Sequence, residues 1–549
     1  MTVDGVTLEV LRNGLSAVAE EMNASLTRTA FSPNIKERRD CSCALFDANG
    51  AMITQAENIP VHLGAMPSSV AEAIRAYPID ALEPGDGILL NDPFRGGAHL
   101  PDLTLISPIF IEDELLGFAA NRAHHADIGG AEAGSVAASS RSIYEEGLRI
   151  PPVRFVEEGT INEELMAVVE ANTRAPRERR GDLRAQRAAN EVGVTRAKEL
   201  VARHGLDTVE AAVDEFQAYS ERRMRSELES IPDGTYHFQD VIEDDGRGNE
   251  GLPIAASIHA SGDTIEIDFS GSAAQTVGAV NAVRAVTLSA CYYAMRAITD
   301  PDIPPNAGCY RPITVESPEG SIVNATAPAA VVGGNLETSQ RIVDVIFGAL
   351  SESVPDRVMA ASQGTMNNLT FGGIDPRTGE EFAFYETQPG GFGARTGADG
   401  MDGVQVHMTN TLNTPIEVIE TAYPLRVRTY ALRPNSGGAG RYRGGLGVRK
   451  DFEVLTETSC SVMGERRRTR PFGIMGGECG TPGNDTLVRE GQETPIPSKS
   501  SHTLEAGTVV RIRTPGGGGY GDPDDRPADE IDRDRRLGKV TEWPGDPST

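Results

Sequence analysis

Residues 91–130 constrain this chain more than any other stretch, because two polar clusters flank two apolar runs there. The runs at residues 103–111 and 115–120 lie on either side of an acidic turn at Asp113, which is the pattern of a β-hairpin. Pro108 within the first run predicts an edge strand or a bulge, since proline cannot donate a ladder hydrogen bond.

A turn centred on Asp113 predicts the register of this hairpin. Residues whose numbers sum to about 226, twice 113, then face each other, so Asp102 faces His124 and His99 faces Asp127. Directly opposed residues have Cβ atoms roughly 4.5–5.5 Å apart. The hairpin should therefore bring its two His/Asp clusters together, and such ligands suit Zn, Mn or Fe(II). The alternative is that these polar residues are only the exposed ends of a surface hairpin.

The charge of the chain limits its partners. The 549 residues are enough for several domains, and 80 acidic against 51 basic residues give a net charge of −29. Only five of the basic residues are lysines: Lys36, Lys198, Lys450, Lys499 and Lys539. An acidic surface argues against nucleic acid or an anionic membrane as partner. The composition is halophilic in type, since a high-salt cytoplasm screens self-repulsion, although an acidic proteome encoded by a GC-rich genome gives the same pattern.

Nothing in the sequence predicts export or membrane insertion. No apolar run of about 18 residues occurs, and residues 1–4 do not begin a secretory leader. The six cysteines are scattered without a CxxC spacing, which is typical of buried thiols in a reducing compartment. We therefore expect a cytoplasmic protein.

The predicted fold class is α+β (mixed α/β), and the pattern of predicted elements changes along the chain. Amphipathic helices and hairpins alternate at first, sheet and helix mix in the middle, and short strands separated by glycine follow. We predict an N-terminal helix-and-hairpin domain with the metal site at 1–232, a central mixed sheet-helix domain at 233–420, a β-rich C-terminal domain at 421–523, and a charged, loose tail at 524–549.

Several long motifs point to one family. They are NDPFRGGAHLPD at 91–102, NRAHHADIGG at 121–130, VGGNLETSQR at 332–341, MTNTLNTPIE at 408–417 and TPGGGGYGDP at 514–523. With them the chain resembles the B subunit of the hydantoinase/oxoprolinase family. The resemblance covers nearly the whole chain. The family includes N-methylhydantoinases, 5-oxoprolinases and caprolactamases, and acetone and acetophenone carboxylases have a related subunit.

The resemblance implies a division of labour and a ligand set. In such systems a separate A subunit, or an A-like half of a fused chain, binds ATP and phosphorylates the substrate oxygen, while the B part carries a metal site. Carried over by motif, the implied ligands of a divalent metal, Zn or Mn, are Asp40, His99, Asp102 and His124. The sequence contains no P-loop. We therefore expect ATP to be bound by a hydantoinase A-type partner subunit in a hetero-oligomer.

Three further residues are candidates for chemistry beside the metal. His125 or Asp127 could move a proton, or could only orient the metal ligands. Arg122 could hold a transferred phosphate, or could be a surface charge. Because side chains alternate along a strand, His124 and His125 cannot both be ligands if the strand continues through them.

The function that follows first is the metal-bearing B subunit of an ATP-dependent cyclic amide hydrolase acting on hydantoin, 5-oxoproline or a similar lactam. One alternative is a subunit of an ATP-dependent ketone carboxylase. Another is a non-catalytic scaffold for the A subunit.

Overall fold

A computed structural model describes residues 3–56 and 58–544, and it confirms the α+β class. The helices of these residues are α1 Gly5–Thr29, α2 Pro33–Lys36, α3 His62–Ala76, α4 Glu163–Ala171, α5 Pro176–His204, α6 Leu206–Leu228, α7 Arg284–Ile298, α8 Ala307–Tyr310, α9 Ser339–Leu350, α10 Ile416–Ala422 and α11 Ala528–Arg536. Among them, none has both the length and the hydropathy required to cross a bilayer.

The strands found among the described residues form four sheets. Their bounds are β1 Cys41–Asp47, β2 Met52–Ala56, β3 Gly87–Leu90, β4 Asp102–Ile111, β5 Glu114–His124, β6 Val153–Glu157, β7 Thr160–Ile161, β8 Gly234–Asp244, β9 Glu250–Ser261, β10 Thr264–Asp268, β11 Ile313–Glu316, β12 Asn368–Ile374, β13 Glu381–Thr387, β14 Leu425–Leu432, β15 Val448–Val454, β16 Thr458–Met463, β17 Asn484–Arg489, β18 Gln492–Pro495, β19 Lys499–Leu504 and β20 Val509–Arg513.

The predicted hairpin is the centre of the largest sheet. This seven-stranded sheet has the order β2-β1-β5-β4-β3-β6-β7, so β4 is an interior strand and the edge alternative is wrong. Asp102 pairs with His124, as the register predicted. The register shifts between Ile109 and Phe110, just after Pro108, so the chain tolerates the proline with a bulge.

Helices cover both faces of this sheet. On one face, α1 packs against α5, and both contact the sheet. Leu11, Leu15, Met22 and Leu26 recur at helical spacing along α1 and are buried in this layer. On the other face, α3 contacts β4 and β5 and packs against α7. Alternate side chains of β5 therefore enter two different buried environments.

The remaining sheets do not follow the predicted domain boundary at residues 420 and 421. Their orders are β11-β10-β9-β8, β13-β12-β16-β19 and β14-β15-β20-β17-β18. The second of these pairs β12 with β16, from opposite sides of that boundary. Pairing between distant strands leaves no mark on the local pattern, so the sequence could not indicate it.

The predicted tail is only partly loose. Its helix, α11, is present, and beyond it Val540 and Trp543 are buried against Ala439. Apolar residues spaced among the charges therefore attach this segment to the body. Residues 545–549 lie outside the described residues.

A buried run of four glycines, residues 516–519, holds several loops together through its backbone. Its N–H groups donate to the carbonyls of Thr481, Gly445, Ala361 and Glu478 in turn. Its carbonyls accept from Gly438, Ala394 and Ile474. These segments approach so closely that a Cβ on Gly517 would lie 2.1 Å from the carbonyl oxygen of Phe392, and only glycine fits there.

Candidate metal centre

Three side chains converge at one end of the hairpin. Asp102 is the first residue of β4, and His124 is the last residue of β5, so the strand register places them opposite each other. His99 lies in the loop before β4. Asn91 holds this loop, because its side-chain amide donates to Leu100 O at 2.7 Å and its Oδ1 accepts from Ile150 N at 2.6 Å.

The three potential ligand atoms are nearly equidistant. His99 Nε2 lies 3.1 Å from His124 Nδ1 and 3.2 Å from Asp102 Oδ1, and His124 Nδ1 lies 3.3 Å from the same oxygen. Ligand atoms bound tetrahedrally at about 2.0–2.2 Å from an ion lie about 3.3–3.6 Å apart. The spacing observed here is close to that, so all three atoms can contact a single ion.

Burial and charge give His99 and Asp102 the protonation states that a metal ligand needs. The side chains of His99, Asp102 and His124 are at most 3% exposed. Burial lowers the pKa of His99, which favours a neutral imidazole. Burial alone would raise the pKa of Asp102, but the neighbouring histidines lower it more, so it lies well below its usual range. A neutral imidazole and an ionised carboxylate are the forms that bind metal.

Some polar atoms of the cluster have no hydrogen-bond partner among the described residues. Asp102 Oδ2, His99 Nδ1 and His124 Nε2 are buried without a hydrogen bond to any other described residue. Buried polar atoms are normally satisfied, and each exception requires an explanation. These unpartnered atoms are not the three that converge, so the fit to a divalent cation rests on the donor set of two imidazoles and one carboxylate.

Neighbouring side chains hold the cluster in place. His62 Nε2 lies 3.7 Å from Asp102 Oδ2, and Ser42 Oγ lies 2.8 Å from His62 Nδ1. The Tyr385 ring stacks on the His124 ring with centroids 4.8 Å apart. The Arg38 guanidinium lies 5.0 Å from the centroid of the same tyrosine. The rotamer of His124 is therefore fixed from outside its own hairpin.

Asp40 lies beside the cluster but is not one of the three converging residues. It is 7% exposed, it precedes β1, and its backbone oxygen accepts from His124 N at 2.9 Å. It lines a small cavity of about 20 Å³ together with His99, Asp102 and His124. The group whose ligand atoms lie within 4.8 Å of one another contains the other three and not Asp40. Its role as a fourth ligand stays a prediction.

His125 and Asp127, the predicted proton carriers, lie away from the cluster. His125 is on the opposite face of the strand, and its Nε2 lies 2.9 Å from Gln186 Oε1 on α5. Burial, and secondarily the charge of Arg179, lowers the pKa of His125 to about 4. Asp127 accepts from Arg174 NH1 at 2.9 Å and from loop backbone groups. The predicted contact between Asp127 and His99 is absent, because ladder pairing stops at His124.

Arg122 is completely buried, so the alternative of a surface charge is wrong. Its guanidinium donates to Thr104 Oγ1 at 2.8 Å, Ser69 Oγ at 2.7 Å and Ala65 O at 3.2 Å. These contacts join β5 to α3. Arg122 does not line the 20 Å³ cavity, although its NH1 has no partner among the described residues.

Two neighbours of the cluster were not among the predicted site residues. His62 is the first residue of α3. Tyr385 lies on β13. A histidine before an apolar helical run was a usable signal for the first. For the second, the sequence has none, because the contact is long-range.

Fold and site together define a class of large α+β proteins with a candidate metal centre on the central hairpin of a sheet. The chain belongs to the hydantoinase B/oxoprolinase family, whose model matches residues 4–523. It is 42% identical to an uncharacterized protein of Methanocaldococcus jannaschii, over 98% of this chain and 94% of the relative. It is 32% identical to the B subunit of a putative D-/L-hydantoinase of a Pseudomonas species, over 98% of this chain and 93% of the relative.

Longer relatives and solved structures extend the comparison. The chain is 38% identical to 5-oxoprolinase 1 of Arabidopsis thaliana over 94% of its own length, but spans only 42% of that relative. The ATP-dependent caprolactamase from Pseudomonas jessenii superposes with a TM-score of 0.92 at 31% identity, covering 98% of this chain and 95% of that one. Acetone carboxylase shows the same fold, with a TM-score of 0.89 at 20% identity. The match covers 98% of this chain and 78% of that one.

Proposed function

We propose that this chain is the metal-bearing B subunit of an ATP-dependent cyclic amide hydrolase. The observation that carries the proposal is the convergence of one ligand atom each from the buried side chains of His99, Asp102 and His124 on one point. A scaffold has no need of such a cluster. The names of the relatives support the reaction class, since they include 5-oxoprolinases, a putative hydantoinase and a caprolactamase.

We infer that a second polypeptide, an A-type subunit, binds ATP. The chain spans 41–42% of the length of several 5-oxoprolinase relatives. A relative that it covers almost fully is named as the B subunit of a putative hydantoinase. That name supports a hetero-oligomer in which this chain contributes one of two functions.

The chemistry of amide hydrolysis accounts for the division of labour between the two subunits. An amide C–N bond reacts poorly with water, and phosphorylation of the amide oxygen makes the carbon more reactive. When water adds to that carbon, the ring C–N bond can break to give the amine and an acyl phosphate. A second water then releases phosphate and leaves the carboxylate. A divalent ion bound at the centre supplies Lewis acidity and lowers the pKa of nearby water to about 7. His99, Asp102 and His124 would hold that ion, with Asp40 as the proposed fourth ligand. His62 and Tyr385 would orient these side chains, as residues around metal ligands commonly do.

The test is reconstitution with the A-type subunit. The purified pair would be incubated with ATP and with hydantoin, 5-oxoproline or caprolactam, and ring-opened products would be measured by mass spectrometry. We expect hydrolysis of at least one cyclic amide that requires both chains, ATP and bound metal. Turnover by a metal-free preparation would refute the role of the centre. In a parallel incubation with ATP, bicarbonate and acetone or acetophenone, a carboxylated ketone as the product would instead support the carboxylase alternative.

A further inference from the structure

A large cavity is lined by residues that are adjacent in the chain to residues around the candidate metal centre. Its volume is about 860 Å³, within the range of about 300–1,000 Å³ typical of small-molecule sites. The 20 Å³ space beside His99 and Asp102 has room for an ion or a water but not for a ring. A cyclic substrate therefore needs a neighbouring space in which to bind.

The two cavities are lined by consecutive residues of the chain. Arg39 lines the large cavity, and Asp40 lines the small one. Likewise, Asn58 lines the large cavity and Ile59 lines the small one. A third cavity is lined by both residues. Asn58 is held in position because its amide donates to Cys41 O at 3.1 Å and to Asn23 Oδ1 at 2.9 Å. On two separate segments, therefore, a residue that lines the large cavity directly precedes a residue that lines the small one.

The charge of this cavity is opposite to that of the whole chain. Four cationic side chains line it, Arg12, Arg28, Lys36 and Arg39, against the two acidic side chains Glu20 and Glu37. Arg12 is paired with Glu9. Within the described part of the chain, Arg28, Lys36 and Arg39 form no hydrogen bond or ion pair through their side chains. A protein with a net charge of −29 thus leaves three unpaired cations around one space.

We propose that this cavity binds the phosphoryl group of the phosphorylated cyclic amide before the amide reaches the metal centre. Guanidinium and ammonium groups are the usual donors to phosphate, and charge-assisted hydrogen bonds are the strong ones. Asn23, Asn58 and Ser16 add neutral hydrogen-bonding groups to the same lining. The inference rests on the proposed function, because that function supplies the phosphorylated ligand.

The test measures binding to the purified chain by calorimetry, with phenyl phosphate as a stable enol-phosphate probe. Benzoate is the carboxylate comparison, and phenol is the uncharged one. The cavity variant is Arg28→Gln with Lys36→Gln. The matched control is Arg177→Gln with Lys198→Gln, which removes the same charges from exposed positions on α5 whose side chains also form no hydrogen bond or ion pair with the described residues. Metal content of both variants reports whether the neighbouring centre is intact.

We expect the wild type and the control to bind phenyl phosphate equally, and the cavity variant to bind it about tenfold or more weakly with unchanged metal content. Benzoate should bind less tightly, and phenol should not bind. Equal affinities of the two variants, or no saturable binding by the wild type, would overturn the inference. Benzoate binding as tight as that of phenyl phosphate would overturn the assignment to phosphate.

The calorimetric result is separable from the proposed function. If phenyl phosphate fails to bind while the reconstituted pair opens a ring, the cavity assignment falls and the function stands. If phenyl phosphate binds as expected and no cyclic amide is hydrolysed, the anion site stands and the function falls.

Discussion

His124 and His125 are consecutive in the chain, yet their rings contact different layers of the protein. His124 Nδ1 lies 3.3 Å from Asp102 Oδ1, whereas His125 Nε2 lies 2.9 Å from Gln186 Oε1 on α5. Strand alternation separates them, and the helices on the two faces of the sheet then give each its own set of partners.

This separation predicts different effects of two neighbouring substitutions. His124→Ala should remove bound metal and activity together, since it deletes a proposed ligand. His125→Ala should retain most of the metal, because the His125 imidazole contacts Gln186 on α5 and not the cluster. Metal stoichiometry after dialysis measures both. An empty His125→Ala protein beside a loaded His124→Ala protein would contradict the ligand assignment.

Glu146 should make stability depend on pH. Its Oε1 accepts from Val331 N at 2.8 Å and Val332 N at 3.1 Å, and burial raises its pKa from 4.5 to about 8. Between those values the folded state keeps a proton that the unfolded state loses, so the free energy of unfolding decreases as pH rises. Glu146→Gln lacks this decrease.

The comparison of Glu146→Gln with the wild type should therefore change with pH. Near pH 4 the midpoints of urea unfolding should differ little. By pH 9 the variant should be the more stable of the two, by an amount on the order of a few kcal/mol. A difference that stays constant from pH 4 to pH 9 would show that Glu146 titrates normally in the folded chain.

Gly517→Ala should be strongly destabilising, by about 3 kcal/mol or more, because the new methyl group would collide with backbone that cannot move freely. Gly5→Ala is the control, since nothing lies within 4 Å of the position that its Cβ would take and the residue starts α1. Thermal unfolding of both variants measures the difference. Similar melting temperatures would mean that the loops around residues 516–519 can relax.

The acidic composition predicts that salt stabilises the fold. Potassium chloride at about 1 M shortens the screening length to about 3 Å and should relieve repulsion among the excess carboxylates. The melting temperature should rise from low to molar salt, and sucrose at equal osmolarity serves as the uncharged control. A melting temperature that is the same at low and molar salt would count against repulsion as a significant term.

Local pattern was enough to predict the hairpin. The turn at Asp113 and the apolar runs around it specify the pairing of Asp102 with His124, and the sum of 226 holds back to Ile109 and Gly117. Nearer the turn, Phe110 pairs with Leu115, because the bulge after Pro108 shifts the register by one. A proline predicts such a shift of register but not the residue at which it occurs.

Contacts across the chain were not predictable in this way. Tyr385 reaches His124 from β13, and glycines in β12 weaken the alternation that would have marked that part of the sheet. Arg39 and Asn58 meet at one cavity only because two loops come together in space. Such neighbours are determined by tertiary packing, about which a local periodicity carries no information.

The four-glycine run follows the strands of the four described sheets in the chain, so its contacts with the loops form late in synthesis. A nascent chain that has reached residue 515 already contains the strands of all four sheets in the described structure. The loop backbone groups at Ala361, Gly445 and Glu478 still lack their partners at that stage. Unpaired backbone and incompletely packed loops make late intermediates prone to association. Ribosomal arrest shortly before residue 516 should therefore leave a species that chaperones recognise as incomplete.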